Sequence, residues 1–470
     1  MGSSPLSARP AIRLTRRMVI AGPLAVAGSA LLRPRLAGAS SGTAEIVAAP
    51  ATAALRGADK PSTGVWAYNG TTPGPVIRIR QGEELSARLV NRLAQPTTIH
   101  WHGIRIDNRM DGVPHLTQHS VDPDGSFDYR FTPPDAGTFW YHPHERSYEQ
   151  VARGLFGILV VEEKDPPVVD HDIVLVVNDW RLGSDGSFSE ATLGSAHDRA
   201  HAGRLGNVLT TNGTTGYTAA FRVNDRLRLR IVNCSSARTL QLALEGASAR
   251  VIARDGQPLS SPAAFAAPLV LAAGNRADII VDMPAEPGAR VALTDVSGDR
   301  RLLASFEPRA DASARKTPLD LPVALAQSLV PAPDMRDHLP VDLVMTGGAK
   351  GEMDHSPAYA SGPVWQLNGV AGMTETPLFS APRGRTAAVR IVNRTAWAHG
   401  MHFHGHHFRV VAREGSPVPV DDTLWDTLLV APGETVTIAF VADNPGRWMI
   451  HCHMLDHQAA GMDTWFEVQS

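Results

Sequence analysis

One pattern recurs three times along this chain, and it restricts the fold more than any other feature. Asn69-Gly70 leads to Leu89-Val90-Asn91-Arg92, Asn212-Gly213 to Ile231-Val232-Asn233-Cys234, and Asn368-Gly369 to Ile391-Val392-Asn393-Arg394. Self-similarity on this scale means tandem copies of one folding unit. Between the anchors lie stretches such as VIRIRQGEELSARLV and FRVNDRLRLRIV. Their period-two alternation, rich in Val, Ile and Arg, reads as half-buried strands. No long segment beyond the first residues carries a strong helical period. Short strands divided by turn signals suggest β-sandwiches. The 470 residues suit about three domains of ordinary size. An all-β chain with domains at 40–165, 166–315 and 316–470 is expected.

The copies differ in histidine. Nine positions after Asn91 comes His100-Trp101-His102-Gly103, and nine after Asn393 comes His402-Phe403-His404-Gly405. Nine positions after Asn233 the chain reads Leu242-Ala243-Leu244. Near the domain ends, Gly137 leads to His142-Pro143-His144 and Gly446 to His451-Cys452-His453. The matching end of the middle copy is expected around Ile279 to Asp282, again without histidine. On a strand, residues two apart share a face. Two outer copies, each with two His-x-His pairs, are therefore suited to close around a metal cluster from opposite sides.

The segment HCHMLDHQAAGM, His451 to Met462, adds a sulfur. A thiolate with two imidazoles and a weak axial thioether is the ligand set of a blue-copper electron-transfer site. If the strand GRWMI continues through it, His451 and His453 point one way and Cys452 the other. One metal would then touch the sulfur while its covalent neighbours touch others, an arrangement suited to electron transfer. Zinc, the competing reading for clustered imidazoles, explains neither the opposed cysteine nor the trailing Met462.

Cys234 and Cys452 are the only cysteines. A thiol needed for metal cannot also be a disulfide, so no disulfide framework stabilises the fold. Cys234 stands where the other copies have Arg92 and Arg394, and reads as a buried structural thiol. The 44 basic and 47 acidic side chains nearly balance, which leaves no nucleic-acid footprint. Thr15-Arg16-Arg17 precedes an apolar run from Met18 to Leu32 and a small-residue site at Ala37-Gly38-Ala39. Residues 1–39 therefore read as a twin-arginine export signal, with the export machinery as partner and the periplasm as destination. The run is too short to span a bilayer comfortably, and no other segment is apolar enough for stable membrane insertion.

On these motifs the chain resembles a three-domain multicopper oxidase of the laccase-like family, whose exported bacterial members include cuprous oxidases. The resemblance covers essentially everything after the export segment. It implies three tandem cupredoxin-like Greek-key β-sandwiches and four copper ions. It assigns a type 1 copper to His399, Cys452 and His457 with Met462 axial, and a type 2 copper to His100 and His402. It assigns the type 3 pair to His102, His142 and His453 on one copper and to His144, His404 and His451 on the other. It implies one-electron oxidation of a small donor (a phenol, an aromatic amine or Cu(I)) coupled to reduction of dioxygen to water.

Proton supply calls for carboxylates near the cluster. Asp111 stands where bacterial relatives place such an acid, although it would equally support the turn Asp111-Gly112; Glu145, next to His144, is a second candidate. Two departures from the family stand out. Gln458 replaces an acid after the second type 1 histidine, and Gly400 replaces a proline, which would loosen its loop. His406 and His407 read as strand or loop histidines beside the site, as do His115 and His119. His197 and His201 read as solvent-facing. Met335, His338, Met345, Met353 and His355 form a sparse thioether and imidazole stretch that would suit Cu(I) or serve as linker. Two rival classes share parts of the pattern. A copper-free structural protein of the cell envelope conflicts with the filled ligand positions, and a two-domain nitrite reductase with the silent middle repeat.

Overall fold

The computed structural model describes residues 43–350 and 363–470. The export segment at 1–39, Met353 and His355 lie outside these residues. The described chain forms six sheets, two in each of three lobes. In the first lobe, strands Ala44–Ala53, Thr63–Tyr68, Leu85–Asn91 and Ser126–Phe131 make one sheet. Strands Val76–Arg80, His100–His102, Gly137–His142 and Gly157–Glu162 make the other. Ile46, Leu89 and Tyr129 from the first meet Ile77, Trp101 and Leu159 from the second in one buried core. The middle and last lobes repeat the plan with a six-stranded and a five-stranded sheet each. The three tandem sandwiches expected from the repeats, cupredoxin-like as the resemblance implies, are therefore present.

The anchor residues explain why the copies fold alike. Asn69, Asn212 and Asn368 all take left-handed backbone angles, φ 52°, 51° and 52°, each followed by a glycine of positive φ. Such a turn favours Asn-Gly, because glycine carries no Cβ to clash. Each amide also grips a neighbouring strand. Asn69 accepts from Val47 N and donates to Glu45 O, Asn212 does the same with Val176 and Val174, and Asn368 with Val344 and Asp342. The second anchor is also conserved in role. The buried Asn91, Asn233 and Asn393 each donate to two or more main-chain carbonyls and accept one main-chain N–H two residues on. In every lobe this anchor ends a strand that pairs in parallel with the lobe's first strand.

One alignment needs correcting. Strands Gly137–His142 and Gly446–Cys452 lie beside His100–His102 and His399–Phe403. Their counterpart in the middle lobe is Val291–Asp295, which pairs with Leu240–Glu245. The stretch Ile279 to Asp282 belongs to the opposite sheet, against Arg226–Asn233. Both are short, continuously apolar runs, and such a run does not reveal which sheet a strand joins. Neither carries histidine. Among the described residues, no helix is long and apolar enough to cross a membrane.

Candidate metal centre

Strand pairing brings the sulfur centre together. Met401 lies opposite Cys452 and His402 opposite His451, with His399 three residues back on the same strand. Cys452 Sγ is 3.6 Å from His399 Nδ1 and 3.8 Å from His457 Nδ1, and the two Nδ1 atoms are 3.2 Å apart. The tautomers follow from the far side of each ring. His457 Nε2–H donates to the carbonyl of His201 at 2.8 Å, and His399 Nε2 meets Thr395 Oγ1 at 2.8 Å. Both Nδ1 atoms therefore turn lone pairs toward the sulfur. Burial pushes the Cys452 thiol up to about 12, so its thiolate needs a cation beside it. Met462 is fully buried in the same core as Cys452, and its carbonyl accepts from Cys452 N. Trp365 packs its buried ring against both imidazoles, 4.8 Å from His399 and 4.5 Å from His457.

Eight further imidazoles converge between the first and last lobes. Potential donor atoms lie within 4.8 Å of one another in the groups His100, His102, His142; His100, His402, His404; and His144, His404, His451. His453 faces His102 at a ring separation of 4.8 Å. Most of these rings use Nδ1–H as a donor: His100 to Asp111 O, His142 to Pro143 O, His402 to Asp426 O, His451 to Cys452 O and His404 to Asp111 Oδ2. Their Nε2 lone pairs then point inward. His451 Nε2 lies 3.1 Å from His404 Nε2 and 3.4 Å from His144 Nε2. The facing lone pairs of His451 and His404 repel unless a cation sits among them. His100 Nε2, His142 Nε2, His402 Nε2, His102 Nδ1 and both nitrogens of His453 are buried and have no hydrogen-bond partner. Buried polar atoms are rarely left so. Nitrogen donors with a single sulfur fit copper.

Carboxylates orient the rings from outside. Asp111 is buried; its main chain receives His100 and its carboxylate His404, with the second oxygen 3.2 Å from His100 Nδ1. It also ends the short helical turn Asn108–Met110 and leads into Gly112 at φ +81°, so it serves turn and cluster together. A Cβ at Gly112 would stand 1.8 Å from the Ile99 carbonyl. Gly112→Ala is expected to cost about 3 kcal/mol or more, read as a lower denaturation midpoint. Glu145 instead accepts from Ser120 at 2.6 Å.

Sequence reasoning missed Asp426, Asp255 and Arg276. Asp426 Oδ1 lies 3.3 Å from His102 Nε2. Arg276, from the middle lobe, holds both Asp426 oxygens at 2.9 and 2.6 Å. Burial, with the Asp426 charge beside it, pushes the Asp255 carboxyl up to about 7. The detectable signal was a charge inside an apolar run: Arg276 in GNRADIIV and Asp426 in TLWDTLLV.

Of the remaining expectations, those for Gly400, His201 and Met345 need revision. Gly400 is no loop residue; it pairs with Leu429 within a strand, and its carbonyl accepts from His453 N at 2.6 Å. His201 is not simply solvent-facing, since its carbonyl holds His457 and its ring stacks on His197 at 4.2 Å. His115 and His119 are exposed. His406 packs among Phe440, Trp448 and Phe466, while His407 reaches the Asp255 carbonyl at 3.0 Å. Met345 is in the core of the last lobe, so it cannot join the exposed Met335 as a metal-binding pair. Gln458 accepts from Ser147 at 2.7 Å, and Asp456 accepts from Arg204 N. Cys234 is a buried free thiol.

Burial holds seven cluster and sulfur-centre imidazoles well below the usual range and His451 and His457 at about 4. The unfolded rings protonate near 6.5. Unfolding at pH 5 therefore takes up protons, and stability falls as pH drops from about 6.5 toward 4. Between pH 7 and pH 5, His451 and His457 alone should cost roughly 2 kcal/mol each. Chelator-stripped protein should melt markedly lower at pH 5 than at pH 7. Equal melting at the two values would contradict the buried neutral cluster.

The architecture has known counterparts. The Multicopper oxidase family is matched by three profiles, at residues 51–166, 171–293 and 335–470. The chain is 30% identical to Multicopper oxidase MmcO of Mycobacterium tuberculosis, covering 90% of this chain and 86% of that one. The crystal structure of a multi-copper oxidase from Pseudomonas thermotolerans superposes with a TM-score of 0.81 at 33% identity, over 91% of this chain and 99% of the other. That of Lac15 from a marine microbial metagenome gives a TM-score of 0.73 at 40% identity, over 91% and 100%. With matches along nearly its whole described length and a copper-suited donor set at the seam of its outer lobes, this chain belongs to the multicopper oxidases.

Proposed function

We propose that the chain is an exported oxidase holding four coppers, which couples one-electron oxidation of phenols and aromatic amines to reduction of dioxygen to water. The observation that carries this reading is Cys452. Its sulfur joins His399 and His457 in one centre, while the residues bonded to it on either side, His451 and His453, face the other. Met462, buried in the same core as Cys452, would complete the donor set of the sulfur centre. His100 and His402 would hold one copper of the cluster. His102, His142 and His453 would hold a second, and His144, His404 and His451 a third. Bound copper supplies single-electron redox steps at the sulfur and dioxygen reduction at the cluster.

The chain's own residues do the rest. The backbone from Cys452 to its two neighbours is a covalent electron path. Trp365 and the His201 carbonyl keep the imidazoles of the sulfur centre fixed and dry. Asp111 orients His100 and His404 and is the acid placed to deliver protons, while Gln458 has none to give. Residues 1–39 carry the export reading, with the periplasm as destination. Phenols rank ahead of Cu(I) because Met345, one of the three methionines in the candidate Cu(I) stretch, is core.

Metal analysis and oxygen uptake test the proposal. Four coppers per chain, blue colour and oxygen consumption with a phenol are expected. Faster oxygen consumption with Cu(I) alone would replace the phenol reading by a cuprous oxidase. Protein that stays colourless and inert after copper loading would leave a structural envelope protein.

A further inference from the structure

The middle lobe carries no cluster histidine, yet its turn from Ala272 to Arg276 is wedged against the cluster. A Cβ added at Gly274 would stand 3.0 Å from the His453 ring and 3.2 Å from His102. Arg276 is fully buried and ties three lobes together. Its Nε–H donates to Thr138 O in the first lobe at 3.1 Å, and its other two nitrogens take both oxygens of Asp426 in the last. Asp426 in turn receives His402 Nδ1–H on its main-chain oxygen at 2.9 Å and faces His102 with Oδ1 at 3.3 Å. Those two rings are stacked at 3.8 Å and come from different lobes.

Behind this pair stands Asp255, also fully buried, in the middle lobe. Its carboxylate accepts from Arg276 N, Asn275 Nδ2, Asp426 N and Thr427 N. Asn275 Nδ2 also donates to Thr427 O at 2.9 Å. A buried guanidinium is costly unless paired, and only a planar fork holds both carboxylate oxygens at once. The chain also leaves room for it: at Gly103, directly after His102, a Cβ would fall 2.2 Å from Arg276 Nη2 and 2.4 Å from Asp426 Oδ2.

We propose that the middle lobe is the positioning element of the histidine cluster: Arg276, braced by Asp255, fixes Asp426, and Asp426 sets the rings of His102 and His402 across the seam. Retention of a lobe without ligands then has a physical reason. The outer lobes supply the donors, and the middle lobe fixes the angle between them.

This inference rests on the copper assignment above, and wild-type protein carrying copper at both centres is the control for that assignment. Arg276→Lys keeps the charge and loses the fork; Asp255→Asn keeps the shape and places an amide donor against main-chain N–H groups. Copper affinity is measured by chelator competition, with blue absorption reporting the Cys452 centre. Total copper and electron paramagnetic resonance of nitrogen-held copper report the cluster. Both variants should hold cluster copper about 10- to 100-fold more weakly, with changed resonance parameters and the blue centre intact. Unchanged cluster affinity in both variants would overturn the proposal. So would equal loss from both centres, or failure to fold, either of which would make the network a general support of the fold. Absence of cluster copper from the wild type would instead remove the assignment beneath it.

Discussion

Cys452→Ser should erase the blue absorption and lower phenol turnover by at least about 1,000-fold, while the fold and the cluster copper persist. The sulfur is the thiolate donor that meets His399 and His457, and its two bonded neighbours lead to the cluster. A serine hydroxyl cannot replace a thiolate as an electron-transfer ligand. The side chain sits in the last lobe's apolar core, so a hydroxyl there should cost about 1–3 kcal/mol. A domain stable by roughly 5–15 kcal/mol survives that. Circular dichroism, copper content and oxygen uptake measured together decide the matter. A serine variant that still turned over phenol at wild-type speed would show that electrons reach the cluster without the sulfur.

The second large effect is expected at Asp111. Asp111→Ala removes the acceptor for His404 Nδ1–H and leaves that donor buried without a partner. Copper affinity of the cluster should drop about 10- to 100-fold. Asp111→Asn separates orientation from proton supply. Its side-chain oxygen can still accept from His404, but an amide delivers no proton. It should therefore keep its copper, and a phenol should still bleach its blue colour in the absence of oxygen. Steady oxygen reduction should fall about 100-fold. If both Asp111 variants reduce oxygen at the wild-type rate, protons enter by another route.

Much of this was legible because it is local. The three Asn-Gly turns and the three buried Asn anchors repeat in sequence because each satisfies nearby main-chain groups in the same way in each lobe. The His-x-His pairs were legible because a strand sends alternate side chains to one face. Asp255, Arg276 and Asp426 were not, since their contacts bridge 150 and 171 positions of chain and no local period records them. The same limit misplaced the middle lobe's equivalent strand, and it hid the burial of Met345 and the contact between His201 and His457.

By itself, the order of residues determined three repeated sandwiches, two of them armed with histidine, and one cysteine flanked by histidines. Spacing on a pleated strand allows little else. Tertiary structure alone decided how the lobes meet. Which lone pairs face one another, which carboxylate holds which ring, and what the unarmed lobe contributes depend on packing between segments far apart in the chain. Such contacts are specified by shape and by the need to pair buried charge, and neither leaves a periodic trace in sequence.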